Sequence, residues 1–374
     1  MLCDNQNYPL KSLKEGNWFK LICGASFQHL PAIRSLAIAY TLAGTDCIDV
    51  GADPAVISMA KEGINIAKKW GEEAKKRGFN YQGQPYLMVS LNDGEDPHFR
   101  KAYFNPQQCP IDCHQPCINI CPASAIITTG IIEQKCYGCS RCLPICPVQI
   151  IETKNYEYQP ESMNNLILNQ EIDAIEIHTQ VGHLTQFQKL WQTVELWTKK
   201  LKIIAISCPE EQGVIEYLCK LNKIISPLPE TCHLIWQTDG RSMSGDIGSG
   251  TTHAAIKLGE KVLQTTLPGY VQLAGGTNNY TVTKLTSLGL LNTGVQKRHI
   301  SGIAYGSYAR VLLSPILEQL DQLHQKSHYD VSIPSKTMAH LEDHPDLLWE
   351  TVKLASSLVM QIKQVRHSLP QTPN

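Results

Sequence analysis

Eight short β-rich runs, spaced along most of the chain and separated by amphipathic helical stretches, predict an α/β protein. Eight such units in roughly 310 residues match a (β/α)8 barrel, which needs about 250 residues before insertions. A third observation interrupts the alternation: eight cysteines crowd between positions 109 and 146, predicting an inserted α+β segment. The rival is an open doubly wound sheet, because periodicity does not show closure.

The strand candidates are FKLICG (19–24), CIDVGA (47–52), PYLMVSL (85–91), AIEIHT (174–179), KIIAISC (202–208), HLIWQT (233–238), YVQLAG (270–275) and ISGIAYG (300–306). Helical periodicity marks 30–44, 55–78, 183–200, 212–225 and 251–263, and SMNNLILNQEI (162–172) supplies a third helix after the cysteine-rich insert. The insert then lies in the loop after the third strand. In a barrel such loops open on the C-terminal face, where active sites of this fold sit. The expected organisation is barrel over 15–104 and 156–320, insert over 105–155, and a C-terminal extension over 321–374. Within the extension, HQKSHYDVSIPSK (324–336) reads as loop. PDLLWETVKLASSLVMQIKQV (345–365) reads as one amphipathic helix whose apolar face docks on the chain's own barrel.

The 374 residues carry 33 Lys plus Arg against 34 Asp plus Glu, a formal net charge of −1. That balance gives no electrostatic case for nucleic acid or an anionic membrane surface. The opening residues MLCDNQNYPL lack the basic start and apolar core of a secretory signal, and no run reaches the roughly 18 apolar residues of a membrane span. A soluble, cytoplasmic protein is expected.

Fourteen cysteines without a sign of export point to metal ligation rather than disulfides. From Cys136 the spacing is C-x2-C-x2-C-x3-C-P, the bacterial ferredoxin pattern for a [4Fe–4S] cluster. Three thiolates from one tight turn reach three corners of a cube, and the fourth cysteine, before Pro147, serves the other cluster. On this logic Cys136, Cys139 and Cys142 hold one cluster with Cys121, and Cys109, Cys113 and Cys117 hold the other with Cys146. The two halves repeat: CINICPASAI (117–126) aligns with CLPICPVQII (142–151). Zinc is disfavoured, since it takes four thiolates in paired knuckles. The first half departs from the ferredoxin pattern, with gaps of three residues throughout. That looser turn allows one iron corner to be lost, giving a [3Fe–4S] form, or opened to another ligand. His114 sits in the same loop, where it suits tuning through hydrogen bonds better than ligation. CxxxCxxC is absent here, which argues against S-adenosylmethionine radical chemistry.

The strand ends list what a barrel mouth would carry: Asp49 and Asp53, Asn92 and Asp93, His178, Cys208, then Asp239, Gly240 and Arg241. Gly275, Gly276, Gly306 and Ser307 follow the seventh and eighth strands, where barrels commonly bind phosphate through backbone N–H groups. The run 239–255 is a further donor-rich loop opening a helix. Each has a plainer reading: glycine as a turn residue, His178 as a packed side chain, Cys208 as a small apolar one, and Asp53-Pro54 as a helix cap.

With these residues in view, the chain resembles the cyanobacterial light-dependent-period (LdpA) family, which joins a ferredoxin-type two-cluster segment to a larger region of unassigned chemistry. The likeness extends from KSLKEGNWFKLICGASFQHLPAIRSLAIAYTLAG through the eight cysteines. It implies a redox-sensing input to the circadian clock, with circadian clock proteins and a redox partner protein or quinone-pool component as partners. The alternative expectation is an oxidoreductase whose barrel mouth holds a flavin or phosphorylated ligand fed by the clusters.

Overall fold

The computed structural model describes residues 8–23, 30–94, 100–121, 125–132, 135–136, 142–155, 164–169, 171–240, 250–292, 294, 298–329 and 340–364. Chain order begins with helix α1 (Tyr8–Glu15), strand β1 (Trp18–Ile22), α2 (Leu30–Ala43), β2 (Cys47–Gly51), α3 (Pro54–Lys76) and β3 (Tyr86–Asn92). The cysteine-rich segment follows, with β4 (Arg100–Tyr103), α4 (Pro116–Ile120), β5 (Ile126–Ile127), β6 (Gly130–Ile131) and β7 (Glu152–Asn155). The main alternation resumes with α5 (Asn164–Leu168), β8 (Ala174–His178), α6 (Leu184–Val194), β9 (Ile203–Pro209), α7 (Val214–Ile225) and β10 (His233–Asp239). It ends with α8 (Thr252–Leu263), β11 (Tyr270–Ala274), α9 (Thr281–Ser287), β12 (Ile300–Tyr305), α10 (Ser307–Tyr329) and α11 (Pro345–Lys363).

Eight parallel strands close into a barrel in the order β1-β12-β11-β10-β9-β8-β3-β2. Closure is made by β1 and β12, where Trp18 faces Gly302 and Leu21 faces Tyr305. The open sheet is thereby excluded. Where a run of side chains alternates, one set (Phe19, Leu21, Ile48, Val50, Ile175, Ile177) meets the helices and the other fills the barrel. The lower interior is apolar: Trp18, Cys47, Tyr86, Met88, Ala174, Ile203 and Ile235 pack together with Leu13 of α1 beneath them. Gly302 makes room for Trp18, since a Cβ there would lie 2.5 Å from the indole.

Helix α2 is largely apolar and covered on every side, its one charge, Arg34, being ion-paired; only Pro31 along it escapes full burial. It touches α3, α10 and α11. Gly63 permits the α2–α3 crossing, as a Cβ would sit 2.5 Å from the Arg34 carbonyl oxygen. Helix α11 docks on the chain's own barrel, burying Leu348, Val352, Ala355, Leu358, Val359 and Ile362. Each of these leucine, valine and isoleucine side chains contributes about 1.5–3 kcal/mol relative to exposure. Polar clamps fix both ends of this region. Arg34 makes a two-pronged pair with Glu342, and the buried Lys363 Nζ lies 2.5 Å from Asp46 Oδ2.

Two expectations are corrected. HQKSHY is not loop: α10 runs on to Tyr329, while 330–336 lie outside the described residues. Of the helix expected over 162–172, Asn164–Leu168 is helical and Glu171 and Ile172 are not, while 162, 163 and 170 lie outside the described residues. No helix among the described residues is long and apolar enough to cross a membrane.

Candidate metal centre and the barrel mouth

The segment between β3 and α5 folds as a small unit with its own core. Ala102, Phe104, Ala125, Ile126 and Ile151 pack with Cys117, Cys136, Cys142 and Cys146, and Cys121 lies against them. Strands β5 and β6 form a tight hairpin. The flanking β4 and β7 pair antiparallel, Tyr103 with Glu152, and draw the ends of the segment together. The described cysteines are all free thiols; Cys139 lies outside the described residues.

Cys109, Cys113, Cys117 and Cys146 act on one another. The Cys109 thiol is pushed up by partial burial, then by the thiols of Cys113, Cys117 and Cys146. Cys117 is likewise pushed up by burial, and Cys146 and Cys113 add to it. Several sulfurs already accept backbone N–H donors: Cys113 from Gln115 at 3.4 Å, Cys121 from Ala125 at 3.2 Å and Cys136 from Ala102 at 3.4 Å. Such bonds stabilise thiolate and tune a cluster bound to it. Among the described residues no three Cys, His, Asp or Glu groups converge tightly enough for one metal ion, as zinc would require. Soft, unbridged thiols in an apolar shell with N–H donors aimed at sulfur fit a cluster wider than one ion.

The unit is tied to the barrel. Lys101 Nζ lies 2.7 Å from Asp53 Oδ2, with both side chains buried. Asp53 also accepts from Ala55 N and Val56 N, with Pro54 at the first turn, so the expected cap of α3 is present.

Above its apolar floor, the barrel interior is charged. Lys20, fully buried, is 3.1 Å from Asp49 Oδ2 and is bonded to Glu176. Asp49 also accepts from Ser90 Oγ at 2.7 Å. Glu176 Oε1 accepts from Gln237 Nε2 at 2.8 Å and lies 3.1 Å from His178 Nε2. Gln237 accepts from Gln272, which accepts from Trp18 Nε1, and Ser207 Oγ donates to Asp239 Oδ2 at 3.0 Å. Burial opposes the Lys20 charge, but Asp49 and Glu176 hold its ionisation above the ordinary lysine value. Burial likewise opposes the Glu176 charge, and Lys20 leads the groups that bring it below the usual range. Burial raises Asp49 and Asp239, with Lys20 and His178 respectively pulling back.

Asp49 therefore sits inside strand β2 rather than after it. His178 Nε2 lies 3.1 Å from Glu176 Oε1, with a third of its side chain exposed. Asp93 bonds His183 Nδ1 at 3.0 Å and Thr179, while Asn92 closes β3. Cys208 is buried, its thiol pushed up to about 12 by burial. Gly240 is described, whereas Arg241 and most of the loop after it lie outside the described residues. Gly275 and Gly276 take φ of +67° and +86°, and Gly276 O accepts from Thr251 Oγ1 at 2.7 Å. Gly306 leads into Ser307 at the start of α10, where Arg310 donates to Ser307 Oγ at 2.9 Å and to the Ile22 carbonyl. Sequence reasoning missed Lys20, Glu176, Gln237 and Gln272. Their only signal was a polar residue at an inward position of an otherwise apolar strand.

The pattern described as "LdpA Fe-S cluster-binding domain" matches residues 109–157, and "Light dependent period A C-terminal domain" matches residues 166–361. "Light dependent period A" of Synechococcus elongatus is 48% identical over 358 residues, covering 96% of this chain and 94% of that protein. The chain belongs to the light dependent period A family. Among solved structures, (S)-3-O-geranylgeranylglyceryl phosphate synthase from Thermoplasma acidophilum is 11% identical, covering 98% of this chain and 100% of the other at a TM-score of 0.41. Fructose-bisphosphate aldolase from Campylobacter jejuni is 9% identical, covering 97% and 91% at 0.39. Tryptophan synthase from Mycobacterium tuberculosis is 10% identical, covering 95% and 98% at 0.37. The barrel itself rests on the strand pairing above. In this light dependent period A relative, the C-terminal pattern spans only β8 to β12 of the barrel; β1, β2 and β3, with Lys20 and Asp49, precede both patterns.

Proposed function

We propose that this protein binds two cubane clusters and works by accepting and passing on single electrons, as a redox-sensing component of circadian timing. Cys109, Cys113, Cys117 and Cys146 hold the first cluster, and Cys121, Cys136, Cys139 and Cys142 the second. The observation that carries this reading is the packing of Cys117 and Cys146 in one small core, with Cys109 and Cys113 near enough to act on them electrostatically. That crossed pairing is expected when each half of a two-cluster ferredoxin lends its last cysteine to the other. Family membership supports the link to the circadian period, and clock proteins with a redox donor protein or quinone-pool component are the partners it suggests. The widened gaps of the first half favour an iron that is lost easily, so the first centre is the one expected to convert to [3Fe–4S]. When bound, the clusters supply one-electron redox chemistry; the chain's own part is to hold thiolates, donate N–H groups to sulfur and exclude water.

Iron and sulfide analysis of anaerobically purified protein, followed by redox titration with EPR, tests this. Two paramagnetic centres are expected, with Cys139→Ser removing mainly one and Cys113→Ser mainly the other. Zinc, or neither iron nor sulfide, refutes the assignment; equal loss of both centres in each variant refutes the partition.

A second reading is favoured by the positive-φ glycines Gly275 and Gly276 beside Gly306, Ser307 and the half-buried Arg310. These are the loops in which barrels bind phosphate, and a flavin or phosphorylated ligand held there would be fed by the clusters. Flavin absorbance released on denaturation supports it, and its absence leaves the sensor.

A further inference from the structure

Two consecutive residues of β4 bind different parts of the molecule. Ala102 donates its N–H to the Cys136 sulfur at 3.4 Å. Lys101 Nζ lies 2.7 Å from Asp53 Oδ2, with the two side chains only 6% and 3% exposed. Asp53 turns its other oxygen to α3, accepting from Ala55 N at 2.8 Å and Val56 N at 3.4 Å. The contacts run in one line: sulfur, the Lys101–Ala102 peptide, ammonium, carboxylate, first turn of α3. The cap alone does not call for this ion pair. A neutral asparagine or serine side chain caps a helix as well as an aspartate, and a sealed ion pair gains little over an apolar pair of similar size. The charges are explained if they answer to a third charge nearby.

We propose that the Lys101–Asp53 pair carries the oxidation state of the centre at Cys136 into the barrel, with reduction weakening the pair and loosening the first turn of α3. This rests on the cluster reading above. One electron enters from a one-electron donor and reduces an iron of the centre; on reoxidation it leaves to a one-electron acceptor, and no covalent bond forms or breaks. Part of the added negative charge falls on the Cys136 sulfur. It attracts the Ala102 N–H and the Lys101 ammonium, the nearer groups along the line, and repels the Asp53 carboxylate beyond them. With both side chains sealed from solvent, water and salt screen this effect weakly.

Lys101 acts here as a positioning residue. By holding Oδ2 it keeps Oδ1 of the same carboxylate turned to the amides of Ala55 and Val56. When that hold slackens the carboxylate can rotate, and the two amides lose their acceptor. Helix α3 runs on for 23 residues against α2, so a change at its first turn enters the helical layer of the barrel rather than a loop. The coupling is reciprocal: whatever displaces the first turn of α3 from outside must also shift the potential of the centre.

The test is hydrogen–deuterium exchange of the full-length, anaerobically purified protein, read residue by residue by mass spectrometry, in the oxidised state and after reduction with dithionite. EPR of the same samples counts the centres. In the reduced wild type the amides of Ala55 and Val56 should exchange on the order of threefold faster, as for partial loss of a cap, while the first turn of α7 stays unchanged. In Lys101→Met that difference should disappear, and the midpoint of the centre at Cys136 should fall in a redox titration; Lys101→Arg, which keeps the charge, should restore both. Equal exchange of Ala55 and Val56 in the two states of the wild type overturns the proposal, whether or not the variants fold. So does an exchange difference that survives in Lys101→Met, or a midpoint that does not move. Two EPR signals with unresponsive amides sink this proposal alone, whereas protein without redox-active iron sinks the cluster reading and this proposal with it.

Discussion

Replacing Lys20 with Met removes the only charge opposing two carboxylates in the barrel interior at the described contacts, and the consequence can be worked out. At an effective dielectric of about 20, a pair 3.1 Å apart such as Lys20–Asp49 attracts by about 5 kcal/mol before desolvation. The variant need not lose all of that, because an orphaned carboxylate can take a proton instead. Neutralising a free glutamate at pH 7 costs about 3.7 kcal/mol, 1.36 kcal/mol for each pH unit above about 4.3. A loss of about 3–5 kcal/mol at pH 7 follows, the range for breaking a buried pair from one side. The same reasoning fixes the pH dependence. In the wild type Glu176 lies below its usual range, so its contribution is present above about pH 4.3 and is lost as pH falls through the folded value. In Lys20→Met the carboxylate is raised, so the penalty shrinks by about 1.4 kcal/mol per unit as pH falls from 7 towards 5. Anaerobic urea unfolding followed by far-UV circular dichroism at pH 7 and pH 5 measures both. Lys20→Met combined with Glu176→Gln should recover only part of the loss, since one orphaned carboxylate is gone while Asp49 remains without its lysine. A variant within about 1 kcal/mol of wild type at pH 7, or a gap that ignores pH, refutes the argument.

Gly302→Ala places a methyl 2.5 Å from Trp18, and overpacking of this sort costs about 1–3 kcal/mol; thermal unfolding should show it, with the apolar floor of the barrel loosened. Glu342→Gln removes the charge of the Arg34 clamp, at about 1–3 kcal/mol for charge-assisted bonds at a partly exposed site. Burial opposes the Glu342 charge, but Arg34 brings it below the usual range, so the difference from wild type should be present above about pH 4.3 and vanish as pH falls below it. Asp53→Asn keeps an oxygen to cap α3 while removing the partner charge of Lys101. With a negative charge gone, the midpoint of the centre that Cys136 is proposed to hold should rise in a redox titration, while that of the other proposed centre stays in place.

The eight strands were legible because β-branched runs bounded by glycine and polar residues have few other fates, and all eight candidates overlap strands of the barrel. Closure was not legible. It rests on β1 meeting β12 across some 280 residues, a pairing that no local period encodes. Lys20 was hidden for the same reason: within FKLICG it looks like one polar residue in an apolar run. Only the closed barrel brings it to Asp49 and to Glu176, 29 and 156 residues away. The end of α10 was misread because HQKSHY has no apolar stripe, and periodicity finds only helices with one face to bury. The short α9 offers two turns and little pattern. The cysteines stood at the opposite extreme, since ligand spacing is local and survives in the sequence as spacing.

The position of the insertion gives the two halves of the molecule a shared mechanical problem. The barrel needs β3 beside β8, Met88 against Ala174 and Asn92 against His178, yet the chain leaves β3, builds the thiol-rich unit and returns only at β8. Closure therefore brings the two ends of the insertion together, and the β4–β7 pairing repeats that closure one layer out. Along β4, successive residues face both ways. Ala102 donates its N–H to the Cys136 sulfur, and Lys101 reaches Asp53, four residues beyond the buried Asp49. A change of charge on the Cys136 sulfur acts on a backbone N–H one residue from an ion pair that holds the start of α3. Because that pair is nearly sealed from solvent, screening by salt is weak there, and the effect on Asp53 is stronger than the same charge would have at the surface. The barrel mouth thus lies within bonded reach of the thiol cluster, at the one end of the barrel where the network of Lys20, Glu176 and His178 opens.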